Sequence, residues 1–323
     1  MPIDQDKRRG ALWGQAIGDA LGVPAEFKDR TLLLMMYGEE GITSYRDANR
    51  GASQWGAGEW SDDTAQALSI MDSYLEHGDV DPIGCAHHFL KWAQEDGRGM
   101  GNHTWNVLKS TYFLVEPFAV SKEVWERSGR KIAPNGGVMR TAGVAVLRPQ
   151  DQAWTARAAA TACKVTHWDP RCVASSVAIA EAVRRLITAG DLLGSSRESA
   201  FHHAIAQATA AAPEAAEELV RYARMSLEDL KLDEGMDDPK RKRVPIGYTW
   251  KCMGAGFYAL RNAHRGFSEV LNEVLMAGGD VDTNGAVAGA VLGAYWGWSN
   301  IPQWMRDGLV GGATLDEKLS RLP

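Results

Sequence analysis

Ala277-Gly278-Gly279-Asp280-Val281-Asp282-Thr283-Asn284-Gly285-Ala286-Val287-Ala288-Gly289-Ala290-Val291-Leu292-Gly293-Ala294 places two carboxylates one residue apart, a hydroxyl directly after them and two glycines in front. The paired glycines permit a tight turn. Gly285, Gly289 and Gly293 recur every fourth residue, so they stack on one face of a helix. A face that small admits another backbone at very short range. The stretch reads as an acidic loop running into a helix clamped inside the protein. Asp and Thr are also ordinary residues at helix starts, where they cap free amides and suit the helix dipole. A ligand role therefore needs a second oxygen-rich cluster elsewhere.

That cluster is Trp60-Ser61-Asp62-Asp63-Thr64, where a hydroxyl and two carboxylates again open a helix. Together the two clusters form an all-oxygen set suited to hard cations such as Mg²⁺, Mn²⁺ or Ca²⁺. Adjacent carboxylates can bridge two ions roughly 3.5–4 Å apart, as in two-metal hydrolases. Without metal, four carboxylates would repel and some would take up protons. His87-His88 and His202-His203 fall within helices and read as surface or packing residues.

Three further stretches could carry chemistry. Gly14, Gly18 and Gly22 are also spaced by four, and that helix ends in a proline turn bearing Glu26. A glutamate in such a turn is either a solvated residue or a group free to act on a substrate. Asn135-Gly136-Gly137 exposes backbone amides able to hold a phosphate at a helix start. Thr166-His167 precedes a helix, where His167 serves as a cap or a ligand contact.

Outside these motifs, helical periodicity dominates and no train of alternating strands is visible. Helices are expected at Arg9–Leu21, Ser61–Glu76, Asp81–Glu95, Ala153–Cys163, Pro170–Ala189, Glu198–Ala211, Glu214–Leu230, Tyr248–Arg261 and Phe267–Met276. The run 233–243 reads as a solvated excursion. The chain has 323 residues, about twice a typical domain, but no linker or repeat divides it. The expected fold is all-α, a single compact orthogonal helical domain over 1–323. A net charge of -6 argues against a nucleic-acid-binding body. Cys85, Cys163, Cys172 and Cys252 form no Cys-x-x-Cys pair and read as reduced thiols, consistent with a cytoplasmic protein without a signal peptide. Thr283–Met305 is uncharged and long enough to span a bilayer, but its glycines, asparagines and Pro302 mark a buried helix instead.

In order, these motifs resemble the ADP-ribosylglycohydrolase family, from about Arg9 to Gly297. The likeness rests on Gly14–Gly22 with Glu26, Trp60–Thr64, Asn135–Arg140, Thr166-His167 and Gly278–Gly285, with looser matches at Gly97–Thr104 and Gly247–Thr249. It implies an all-α fold with two Mg²⁺ ions, Mn²⁺ being an alternative, in a cleft that hydrolyses a ribose glycosidic bond and releases ADP-ribose. Ser61, Asp62, Asp63, Asp280, Asp282 and Thr283 would then be metal ligands. Asn102, Asn135, Gly136, Gly137, His167 and Tyr248 would line the substrate, with Tyr248 near the adenine. Glu26, Asp62, Asp63 and Asp280 are the catalytic candidates, and Glu26 matches a glutamate that gates or assists catalysis in some members. Ser61 stands where threonine is usual, which keeps the hydroxyl. The implied substrate is an ADP-ribosylated protein or nucleic acid, arginine-linked by preference, acted on by a monomer away from membranes. Two rivals are a non-catalytic, crystallin-like ADP-ribose binder, which would hydrolyse nothing, and a metal-dependent phosphohydrolase, which would release phosphate.

Overall fold

A computed structural model describes residues 3–50, 53–189, 193–238 and 241–323. Among these the α-helices are α1 Gln5–Gly22, α2 Arg30–Tyr37, α3 Asp62–His77, α4 Pro82–Glu95, α5 Asn102–Leu108, α6 Pro117–Arg127, α7 Ala142–Ala145, α8 Gln152–Lys164, α9 Pro170–Thr188 and α10 Leu193–Ala211. The remainder are α11 Ala216–Arg224, α12 Leu227–Leu230, α13 Thr249–Asn262, α14 Phe267–Leu275, α15 Val281–Trp296, α16 Gln303–Gly308 and α17 Gly312–Ser320. The all-α class is as expected.

Two antiparallel hairpins are the exceptions. β1 Ala48–Arg50 pairs with β2 Ser53–Trp55, and β3 Met236–Asp238 pairs with β4 Arg241–Val244. The second falls in the run read as an excursion, of which Pro239 and Lys240 lie outside the described residues. The single helix expected over Glu214–Leu230 is broken. Met225 turns extended, with ψ 149°, and the Ser226 side chain caps α12 by accepting from the Asp229 amide. The short helices α2, α6, α16 and α17 are not among those expected; in α2 the apolar residues run consecutively and only Leu33 is buried, so no one-sided pattern marks it.

The packing centre is the pair α1 and α15. They run antiparallel, with Gly10, Gly14 and Gly18 against Gly293, Gly289 and Gly285, and Gly22 against the backbone of Asp282. At each glycine pair an added Cβ would overlap a carbonyl oxygen of the other helix. The two spacings of four are thus one interlocking contact between backbones. α15 is buried from Val281 to Tyr295 and, beyond the polar first turn of Asp282, Thr283 and Asn284, apolar all round, as a central helix must be. One contiguous core spreads from this pair, reaching from Ala11 to Leu322. Because α1 and α15 are antiparallel, the last turn of α1 lies beside the first turn of α15, which carries Asp282.

No described helix is long and apolar enough to cross a membrane. The four cysteines are free and buried.

Candidate metal centre and active site

The site is assembled from three helix ends and one turn. Gly278 and Gly279 adopt φ of +79° and +81°, a region open to glycine and costly to other residues. This bend lets the loop before α15 pair with the turn after α1: the Phe27 amide donates to the Gly279 carbonyl at 2.6 Å, and the Gly279 amide to the Lys28 carbonyl at 2.8 Å. The bridge carries Glu26 to the acidic loop. Carboxylate oxygens of Glu26, Asp280 and Asp282 lie within 4.8 Å of one another. Glu26, read from its turn as either solvated or free to act on a substrate, thus stands with the acidic loop.

A second group within the same 4.8 Å is Asp19, Asp63 and Asp282, all buried. Asp282 is common to both groups, so the clusters from α3 and α15 meet. Ser61 Oγ donates to Asp63 Oδ2 at 3.0 Å, and the Thr283 amide donates to Asp282 Oδ1 at 2.9 Å. Asn135 Nδ2 donates to Asp280 Oδ2 at 2.8 Å, joining the Asn-Gly-Gly turn to the acidic loop. Gly99 lies over Asp62, where a Cβ would stand 2.5 Å from Oδ1.

Burial pushes the Asp63 carboxyl well above the usual range, and the charges of Asp19, Asp282, Asp62 and Asp280 push it the same way. Its Oδ1 is buried without a hydrogen-bond partner among the described residues. A buried carboxylate crowded by others is costly unless a positive charge compensates it. An all-oxygen donor set of this charge fits a hard divalent cation. Asp19, Asp63 and Asp282, with Glu26 and Asp280 beside them, are the carboxylates brought together to hold it; of the expected ligands Ser61 and Thr283 adjoin Asp63 and Asp282, while Asp62 is in neither converging group.

Asp19 is the residue sequence reasoning passed over. It accepts from the Ser61 amide at 2.9 Å, the Thr64 amide at 3.0 Å and Thr64 Oγ1 at 2.7 Å. The Ser61 side chain makes no cap hydrogen bond, so the start of α3 is capped from another helix. The available signal was an ionisable residue inside a glycine-spaced, otherwise apolar face, which must find partners when buried.

The substrate-side candidates are divided. Gly136 lies on the ring of His167, where a Cβ would stand 2.8 Å from Nε2, and a Cβ on Gly137 would stand 2.7 Å from Cys163 Sγ. Both glycines therefore let the turn rest on the core, and a side chain at Gly137 would strike Cys163 before meeting any phosphate. His167 is buried, tilted against the His103 ring at a centroid distance of 4.7 Å. Asn102 is exposed at the start of α5. Tyr248 is only 3% exposed, with its hydroxyl accepting from Arg171 at 3.3 Å and its ring edge-on to Tyr222. It bridges to Pro134, just before the Asn-Gly-Gly turn, and presents no open face for an adenine.

Burial, then His103 and Arg140, hold the His167 imidazole well below its ordinary value of 6.5. Below about pH 6.5 the unfolded chain takes up a proton that the folded site refuses, so stability is lost as pH falls through that range. The slope contributed is up to about 1.4 kcal/mol per pH unit for one proton. His167→Asn should lack this contribution, which denaturant unfolding of both proteins between about pH 7 and 5 would show. Equal slopes would mean that His167 is not held neutral.

Residues 1–322 match the ADP-ribosylglycohydrolase family. The ADP-ribosylarginine hydrolase Tri1 of Serratia proteamaculans is 26% identical over 307 residues, covering 94% of this chain and 75% of that protein. The ADP-ribosylhydrolase ARH3 of Homo sapiens is 26% identical over 331 residues, covering 91% of this chain and 86% of that one. A solved structure described as an ADP-ribosylglycohydrolase-related protein complex superposes with a TM-score of 0.67 at 25% identity, covering 98% of this chain and 96% of the other. On the match across its length, the chain belongs to the ADP-ribosylglycohydrolase family of hydrolases.

Proposed function

We propose that this chain, acting as one unit, is a Mg²⁺-dependent ADP-ribosylhydrolase that cleaves the ribose glycosidic bond of an arginine-linked ADP-ribosyl group and releases ADP-ribose. The observation that carries the reading is the meeting of both acidic clusters at Asp282, with the buried Asp63 crowded by its neighbours. The arginine linkage is favoured by the name of the Serratia proteamaculans relative. Two ions, with Mn²⁺ as an alternative to Mg²⁺, suit the number of carboxylates on offer.

Cleavage at ribose passes through a cation-like sugar centre. The charge of Asp62, Asp63, Asp280 and Asp282 would be offset by the bound cations, so the sugar centre would meet a nearly balanced cluster rather than an open negative field. Bound Mg²⁺ would orient the ribose hydroxyls and polarise a water. Glu26 is only partly buried, whereas Asp62, Asp63 and Asp280 are buried. It is thus the carboxylate best placed to exchange a proton with water or the leaving group. Asn135, tied to Asp280, holds the turn on which the diphosphate would rest.

Product analysis on arginine-, serine- and nucleic-acid-linked ADP-ribose, with and without Mg²⁺, tests the reading. Free ADP-ribose from the arginine-linked substrate only with metal is expected. Release of phosphate, or no product from any linkage, would overturn it.

Glu26→Gln separates two roles. Loss of general acid–base help costs typically about 10²–10⁴ in rate. Because Glu26 converges with Asp280 and Asp282, metal affinity is expected to weaken alongside that fall in turnover. Calorimetric metal titration and turnover on one preparation decide it. A fall in turnover alone would confine Glu26 to proton transfer, and normal turnover would remove it from the chemistry.

A further inference from the structure

The turn under the substrate and the metal cluster are joined by a buried chain of hydrogen bonds, in which the aspartates are only the final link. Gln66, one turn into α3, donates from Nε2 to Asp62 Oδ2 at 3.2 Å. Gln66 Oε1 accepts from Arg140 Nη1 at 2.5 Å. Arg140 Nη2 donates to Thr166 Oγ1 at 2.6 Å and to the Ala162 carbonyl at 2.9 Å. Thr166 Oγ1 lies 2.7 Å from His167 Nδ1. Gln66, Arg140 and Thr166 are fully buried, and the Arg140 guanidinium lies 4.2 Å over the Phe89 ring.

The donors and acceptors admit one direction of travel. Arg140 can only donate. Gln66 must therefore turn its carbonyl to Arg140 and its amide to Asp62. Thr166 Oγ1 accepts from Arg140, and among the described residues His167 Nδ1 is the one acceptor within reach of its own hydrogen, which would otherwise be buried unpaired. With Nδ1 accepting, the proton of the neutral ring sits on Nε2, the nitrogen beneath Gly136. A single guanidinium thus sets an aspartate's orientation at one end and a histidine's tautomer at the other.

Resting on the functional reading above, we propose that Arg140, with Gln66 and Thr166 as its two arms, is a positioning residue for both halves of the site: it orients Asp62 toward the metal and fixes His167 as the Nε2–H tautomer beneath the Asn135-Gly136-Gly137 turn. None of the three has any surface open to a ligand. Outer partners of this kind typically carry about 10–100-fold in metal affinity.

Arg140 itself is a poor site for a test, because its removal would leave a hole in the core. Cutting each arm leaves it in place. Gln66→Leu should weaken Mg²⁺ or Mn²⁺ binding about 10–100-fold in calorimetric titration, without moving His167. Thr166→Val should shift the ¹⁵N resonances of the His167 ring away from the Nε2–H pattern, and Thr166→Ser, which restores the hydroxyl, should restore it. Circular dichroism and thermal unfolding establish that each variant is folded, and Thr166→Ser keeps the second arm testable should Thr166→Val fail to fold. A folded Gln66→Leu with parental metal affinity, or unchanged His167 resonances in Thr166→Val, would overturn the proposal. The tautomer is read on metal-free, ligand-free protein. A parent that bound neither metal nor ADP-ribose would therefore sink the functional reading while the resonances still decided this one.

Discussion

Asp282→Ala is expected to abolish metal uptake and hydrolysis together, and to leave the metal-free protein at least as stable as the parent. The two halves of this expectation come from one arrangement. Asp282 is shared by the Asp19–Asp63 group and the Glu26–Asp280 group, so its loss breaks both. Losing even an outer partner of a ligand costs about 10–100-fold, and losing a ligand common to both groups should exceed that. Yet Asp282 is also one of the charges that push the Asp63 carboxyl upward. Removing it relieves repulsion that only a cation otherwise relieves. Thermal unfolding of parent and variant in chelator and in Mg²⁺ is the measurement. The parent should gain stability from Mg²⁺ and the variant should not. A variant that still gains stability from metal, or still turns over, would make Asp282 no more than a helix-start residue.

The second large effect lies away from the chemistry. Gly289→Val should destabilise the fold by more than the roughly 1–3 kcal/mol typical of overpacking. A Cβ at Gly289 would overlap the Gly14 carbonyl, and backbone cannot step aside as a side chain can. Gly101→Ala is the control, since a Cβ there meets nothing within 4 Å. Denaturant midpoints for both variants check it. A Gly289→Val protein within 1 kcal/mol of the parent would mean that α1 and α15 can separate at little cost.

These two sites also mark what was legible beforehand. The glycines at every fourth position showed that two helices need very close neighbours, and the structure supplies the missing fact that each is the other's neighbour. The two acidic clusters announced themselves because carboxylates and hydroxyls adjoin in the sequence. Asp19 did not, because its partners Ser61 and Thr64 come from a distant segment and its own surroundings are glycine and alanine. The approach of Glu26 to Asp280 and Asp282 was hidden for a different reason. It follows from a bridge between Lys28 and Gly279 that depends on two left-handed glycine conformations. Helix boundaries failed at Met225, where a run with good helical composition is broken by one extended residue. Gly137 has a reason to be glycine that its own segment does not show: its missing side chain makes room for Cys163, which comes from a different helix.

The antiparallel lock between α1 and α15 also dictates an order of events at the ribosome. α1 emerges early, yet the surface it must press against is made only when Val281–Trp296 has been synthesised. At about 5–20 residues per second, α1 waits roughly tens of seconds with its glycine face unmatched. Asp63 is likewise translated long before Asp282, so the crowding of charge that calls for a cation does not exist on the nascent chain. The acidic cluster is complete only when α15 closes on α1.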